Sequence, residues 1–238
     1  MKKLTILLFL FSQNSLSCEE SYQSTGFTPQ VIELYTSEGC SSCPPADRWM
    51  NSLKGDKRLW KEVFPLKFHV DYWDYIGWKD VLAKSQHTQR QRNYASTWKS
   101  RNVYTPGFVL NGREWRSYFS RKVPVSKNYS GPILKVKRGS GQYEIEYKNS
   151  SKERVHLSMA ILGSGIKHKI RRGENAGKFF NHNFAVLDYR TFSLSREKLN
   201  ISIPTIKKGS AEGYHAVFWV EKSPSREIIQ ATGGCALY

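Results

Sequence analysis

The stretch that decides the fold runs from Gln30 to Leu53. Gln30–Tyr35 (QVIELY) is apolar and rich in β-favouring residues, which predicts a strand. A turn-rich segment follows, Thr36-Ser37-Glu38-Gly39-Cys40-Ser41-Ser42-Cys43, and then Pro44-Pro45. Ala46–Leu53 (ADRWMNSL) has helical spacing, with Trp49, Met50 and Leu53 on one face. Two prolines suit a helix first turn, where the missing N–H groups cost nothing. The predicted unit is strand, C-x-x-C turn, helix.

Val63–Val70 (VFPLKFHV) predicts a second strand, and Asp71-Tyr72-Trp73-Asp74-Tyr75 with Trp78 forms an aromatic–acidic cluster after it. A parallel sheet presents its sites at strand C-terminal ends, so this cluster is expected on the rim that carries Cys40. Asp80–Ser100 reads as one helix or two. Phe108–Leu110 is a short strand after Thr105-Pro106-Gly107, Asn111-Gly112 is a strong hairpin signal, and Arg113–Tyr118 is the expected partner strand. Val123–Gly131 has linker composition. Beyond it, Ile133–Lys137, Gln142–Lys148, Val155–Leu162, Phe184–Leu194 and Tyr214–Glu221 have the cadence of an antiparallel β-sandwich.

The first segment resembles the thioredoxin-like superfamily, with a glutaredoxin-type opening in which a strand runs into T-x-x-G-C-x-x-C. Thr105-Pro106 matches in type and order the superfamily's cis-proline ahead of the terminal hairpin. The chain as a whole resembles the secreted family DUF1223, through VIELYTSEGCSSCPPAD (31–47), HVDYWDYIGWKD (69–80), YTPGFVLNG (104–112) and GENAGK (173–178). The resemblance implies an α+β protein of two domains. A thioredoxin-like α/β domain is expected over 18–125, and a β-rich, sandwich-like domain over 126–238. It also implies substrate docking along the main chain at Thr105 and Pro106. Glu33 would be a proton acceptor if it points beneath the cysteines, as a buried acid does in thioredoxins.

The cysteine chemistry can be argued from the residues themselves. A thiolate is the reactive form, and a helix N-terminus favours it through unpaired N–H groups and the positive end of the dipole. Cys40 is therefore expected to be the accessible nucleophile. Cys43, one turn further on, is expected to be the shielded resolving thiol. Ser41 and Ser42 would stabilise a thiolate and Glu38 would oppose it. Reductase, oxidase and isomerase directions all stay open.

Residues 1–17 have the order of a secretory signal: Met1-Lys2-Lys3, an apolar run Leu4–Phe11, then small residues before Cys18. The expected location is periplasmic or secreted. Export permits disulfides, so Cys18 and Cys235 are expected to pair and tie the ends of the mature chain; the alternative is a lipid anchor on Cys18. Lys plus Arg is 37 against 20 acidic residues, a net charge of +17, with the larger excess after residue 126 and the densest run at Lys167–Arg172 (KHKIRR). With an export signal, that charge suits an anionic envelope surface or an acidic partner rather than nucleic acid. A hydrophobic fraction of 39% argues against wholesale disorder, and the lack of a long apolar run beyond the N-terminus argues against an integral membrane protein.

His69 reads as a strand histidine. His87, His156, His168, His182 and His215 are scattered without metal-ligand spacing, so no metal and no cofactor is expected. Three functions compete. The first is an exported thiol–disulfide oxidoreductase acting on protein or small thiol and disulfide substrates. The second is a non-catalytic envelope-binding module stapled by its C-x-x-C. The third is a soft-metal chaperone, which no Met-rich or Cys/His-rich segment supports.

Overall fold

The computed structural model describes residues 20–149, 153–207 and 209–236. It is a mixed α+β fold dominated by sheet. Strands β1 (Ser21–Gln23) and β2 (Gln30–Thr36) lead into helix α1 (Pro44–Ser52), then β3 (Val63–His69) and helix α2 (Ser85–Thr97). β4 (Gly107–Leu110) and β5 (Arg113–Glu114) form a hairpin. The rest is strand: β6 (Leu134–Arg138), β7 (Gln142–Tyr147), β8 (Val155–Ser164), β9 (Ile166–Lys169), β10 (Phe179–His182), β11 (Ala185–Ser193), β12 (Lys198–Ser202), β13 (Gly213–Lys222) and β14 (Ile228–Cys235). Among the described residues no helix is long and apolar enough to cross a membrane.

The main sheet has eight strands in the order β14-β13-β8-β11-β3-β2-β4-β5. β2 and β3 are parallel, with α1 as the crossover, and β4 is antiparallel to β2. Most of the predicted strands are found where expected, but three expectations need correction. The helix expected over 80–100 begins at Ser85, because the Asp80 carboxylate accepts the Leu82 N–H and holds a turn ahead of it. The strand expected over 113–118 stops at Glu114, and a short 3-10 helix, Arg116–Ser120, takes over. The sheet also continues across the boundary expected at residue 125. β11 lies parallel beside β3, joined by the register pair Ala185↔Lys67 and by Lys67 N–H donating to Phe184 O.

That seam has little backbone pairing and is closed by side chains. Leu34, Phe64, Phe68 and Tyr94 from one side share a core with Phe184, Tyr189, Val217 and Trp219 from the other. Burying each such side chain contributes on the order of 1.5–3 kcal/mol. A second sheet, β1-β6-β7-β12, packs on the far end of the first through Val136, Tyr143, Ile145, Met159 and Phe218. The sandwich is therefore not confined to the C-terminal half: β1 pairs with β6 at Tyr22↔Val136. The β4–β5 turn has Asn111 and Gly112 both at positive φ, as a two-residue hairpin requires. A Cβ at Gly112 would meet the carbonyl of Arg226.

Candidate functional site

β2 ends at Thr36, and the chain turns through Ser37–Ser42 before α1 begins. Cys40 and Cys43 are joined in a disulfide, with Cα atoms 5.5 Å apart. Cys43 is the N-cap of α1, and Pro44 and Pro45 fill the first turn, so the helix end has fewer free N–H donors than its position suggests. The Cys40 sulfur lies within hydrogen-bonding reach of the Ser42 hydroxyl, Sγ to Oγ 3.4 Å. The expectation of an accessible Cys40 beside a shielded Cys43 is not met in this state: Cys40 is 1% exposed and Cys43 fully buried.

The cover comes from a segment without a site role in the sequence reading. β9 and β10 form a separate two-stranded ribbon, and the turn between them carries Asn175. The buried Asn175 side-chain amide donates to the carbonyls of Glu38 (2.8 Å) and Cys40 (2.9 Å). Gly173 enters this turn at φ +76°, and a Cβ there would press on Ile76 O. The GENAGK motif held the signal, since its glycines mark a tight turn.

Beneath the cysteines lies a buried charged network. Glu38 Oε1 accepts from His168 Nδ1 (2.6 Å) and His182 Nε2 (2.8 Å), while Trp78 Nε1 donates to Oε2 (2.7 Å). Burial pushes the Glu38 carboxyl up, but these hydrogen bonds and the His182 charge outweigh it and hold the group below the usual range. Asp47 on α1 bonds the fully buried Lys67 ammonium (2.6 Å), and Asn51 adds a second acceptor for that ammonium (2.9 Å). Burial would raise Asp47, but the charge of Lys67 and the neighbouring His182 hold it down. The Asp80 carboxylate holds both the Glu38 N–H and the His69 ring. Glu38 therefore does not confront the cysteines as the free charge expected from sequence; it is tied down by three side chains.

The histidines correct a second expectation. His168 and His182 are scattered in sequence, yet their nitrogens lie with Glu38 Oε1 within 4.8 Å of one another.

Glu33 points the other way. Its β2 neighbour Leu34 pairs with Lys67, whose side chain meets α1, and alternation along the strand turns Glu33 to the α2 face. There Arg90 clamps it through two contacts of 2.8 Å, and Tyr94 and Tyr35 donate to it. Burial raises the Glu33 carboxyl, but Arg90 wins and keeps it ionised. It is a structurally paired glutamate, not a proton acceptor beneath the sulfurs.

The aromatic cluster lies on the rim as expected. Trp73 packs on the Cys40 turn, its carbonyl 3.3 Å from where a Cβ at Gly39 would stand, and its Nε1 donates to Thr105 Oγ1 (2.7 Å). It thereby bridges the cysteine turn and the Thr105–Pro106 step, a cis peptide bond ahead of β4. Tyr75 stacks on Trp73 and is 80% exposed. Cys235 is disulfide-bonded, while its expected partner Cys18 and the signal segment lie outside the described residues.

The family model described as "Protein of unknown function (DUF1223)" matches residues 31–221, well over half of the chain. The chain belongs to the DUF1223 family. Among solved structures it is similar to protein AGR_C_4864 from Agrobacterium tumefaciens, with 23% identity, a TM-score of 0.60, and coverage of 87% of this chain and 93% of that one. It is also similar to HBP35 of Porphyromonas gingivalis, with 13% identity, a TM-score of 0.54, and coverage of 89% and 76%. At these identities the likeness concerns the fold alone. No curated protein matches the chain.

Proposed function

We propose that this DUF1223 protein is an exported, thioredoxin-like thiol–disulfide oxidoreductase, with Cys40 as nucleophile and Cys43 as resolving thiol. The observation that carries the reading is the Cys40–Cys43 disulfide in the turn joining β2 to α1. The strand order β3-β2-β4-β5, with a helical crossover from β2 to β3, supports the thioredoxin-like assignment. In one direction a substrate thiolate attacks the Cys40 sulfur, and Cys43 leaves as thiolate. A second substrate thiol then displaces Cys40, so the substrate loses two electrons and the pair gains them. The reverse sequence reduces a substrate disulfide. Thr105 and Pro106, linked to the cysteine turn through Trp73, are the main-chain docking edge in this proposal.

Turnover requires the Asn175 turn to move off Cys40. The same burial favours a second reading, a module in which the C-x-x-C is a permanent staple. The Cys43→Ala variant separates the two. As an oxidoreductase it should accumulate mixed disulfides through Cys40 in its native envelope, and the oxidised parent should consume dithiol catalytically. A staple would trap nothing and would have a reduction potential below about −300 mV.

A further inference from the structure

His168 and His182 reach one carboxylate oxygen from the two strands of a single ribbon. His168 pairs with Phe180, two residues from His182, so alternation puts both imidazoles on the same face. Their target, Glu38, is 130 residues from His168 and 144 from His182. Trp78 holds Glu38 Oε2, which leaves Oε1 aimed between the two rings. Behind His182 stands Asp47, with Nδ1 and Oδ1 3.5 Å apart, and Asp47 is itself fixed by Lys67. His182 Nδ1 is buried and makes no hydrogen bond. The His182 side chain is 1% exposed and that of His168 is 25% exposed, so the cluster is closed below and open on one side.

We propose that Glu38 Oε1, His168 Nδ1 and His182 Nε2 bind a divalent first-row transition metal, Zn2+ being the reference ion, with a further coordination position open on the His168 side. Two imidazoles and one carboxylate suit such ions, and three protein ligands with an open position are the pattern of a reactive rather than a closed structural zinc site. The contacts of 2.6 and 2.8 Å are hydrogen bonds. A cation at 2.0–2.2 Å from each ligand needs Glu38 Oε1 to draw back by roughly half an ångström from each nitrogen, and the two nitrogens, which lie within 4.8 Å of each other, to stand no more than about 4.4 Å apart.

Metal binding also resolves the orphaned nitrogen. With Nε2 on the ion, the His182 proton sits on Nδ1, facing Asp47 Oδ1. That is the carboxylate–histidine–metal arrangement that fixes a ligand's tautomer and orientation. Asp47 is accordingly a positioning residue and Lys67 its support. An ion there would also fasten the β9–β10 ribbon, and with it the Asn175 turn, over the disulfide.

The site is separate from the thiol chemistry, so its test does not depend on that function. The untagged, oxidised protein is used, because its cysteines are in disulfides and cannot ligate. After chelator treatment it is titrated with Zn2+ at pH 7.5 by calorimetry, and with Co2+ by visible absorption. The expected result is one equivalent of Zn2+ at micromolar affinity or tighter, with Co2+ bands of a four- or five-coordinate N/O site. His168→Gln, at the most exposed ligand, should weaken binding at least tenfold while near-ultraviolet circular dichroism stays unchanged. Asp47→Asn should weaken it about 10–100-fold, and His156→Gln should leave it intact. Absence of stoichiometric binding in the parent protein, or full affinity in folded His168→Gln, would overturn the proposal and leave a hydrogen-bonded ion cluster.

Discussion

Strand β2 carries one buried ionic cluster on its α2 face and leads at its end into another, on the α1 side. On the α2 face, Arg90 is enclosed by Glu33, Glu221, Tyr94 and Tyr189, and its guanidinium also lies over the rings of Phe68 and Trp219. Both carboxylates are paired. The cluster joins β2 and α2 to β11 and β13, reinforcing the seam where backbone pairing is thin. On the α1 side, Glu38, His182, Asp47 and Lys67 form a chain rather than a hub. It has a histidine nitrogen that meets its carboxylate at 3.5 Å without a hydrogen bond, a partly exposed histidine at one end and a disulfide close by in the chain. Ions that are fully matched hold the fold, whereas partly unmatched ions keep capacity for a further ligand.

Breaking the matched cluster should have the largest effect. Arg90→Ala leaves the buried Glu33 carboxylate without a cation and Glu221 with Arg226 as its remaining cation, and should cost about 3–5 kcal/mol, read as a lowered denaturant midpoint. The reduction rate of the Cys40–Cys43 disulfide in the folded variant should not change. A changed rate would show that the two faces are coupled rather than independent.

A pH titration comes next. Burial pushes His87 down to about 3 and His215 down to about 4, so the folded protein resists protonating either ring. The unfolded chain takes up those protons near pH 6.5. The stability these two rings contribute is therefore full above about 6.5 and declines as pH falls toward 4, by up to about 1.4 kcal/mol per unit for each ring, while His182, which burial pulls down but Asp47 and Glu38 hold above its ordinary value, contributes with the opposite sign. His87→Asn should flatten the decline between pH 6.5 and 4 in urea unfolding curves, and an unchanged slope would remove His87 from the account.

The smallest effect concerns the cover. Asn175→Ala removes two hydrogen bonds worth about 0.5–1.5 kcal/mol each. Disulfide reduction should accelerate by about tenfold, measured under a limiting phosphine reductant. No acceleration would mean that the ribbon is held by its histidines and not by its turn.

What was legible in the sequence follows the same division. The β2–turn–α1 unit could be read because each element has a local signature: an apolar strand, a glycine-led cysteine turn, prolines at the helix start and a Trp49–Met50–Leu53 face. The Asn111-Gly112 hairpin was legible for the same reason. Helix α2 was blurred, because its buried face is His87, Arg90, Gln91 and Tyr94, which no hydrophobic periodicity reveals. The face of Glu33 turned on strand register, which one residue reverses. The joining of β11 to β3 and the convergence of His168 and His182 on Glu38 depend on contacts between distant segments, for which local sequence has no marker.

The three residues of β1 carry a consequence for how the chain is made. Ser21–Gln23 finds its strand partners only at Lys135–Lys137, and the Tyr22 hydroxyl donates to the carbonyl of Cys235. The earliest described strand thus waits for more than half of the chain before its partner strand exists, and for β14 before Tyr22 meets Cys235. Contacts of this span are slow to form, because chain must be closed before any of them is rewarded. A nascent chain halted between β13 and β14 keeps an unpaired β13 edge and a leading strand held by β6 alone. Such a chain is open to strand exchange with another copy or to a protease, until β14 is added.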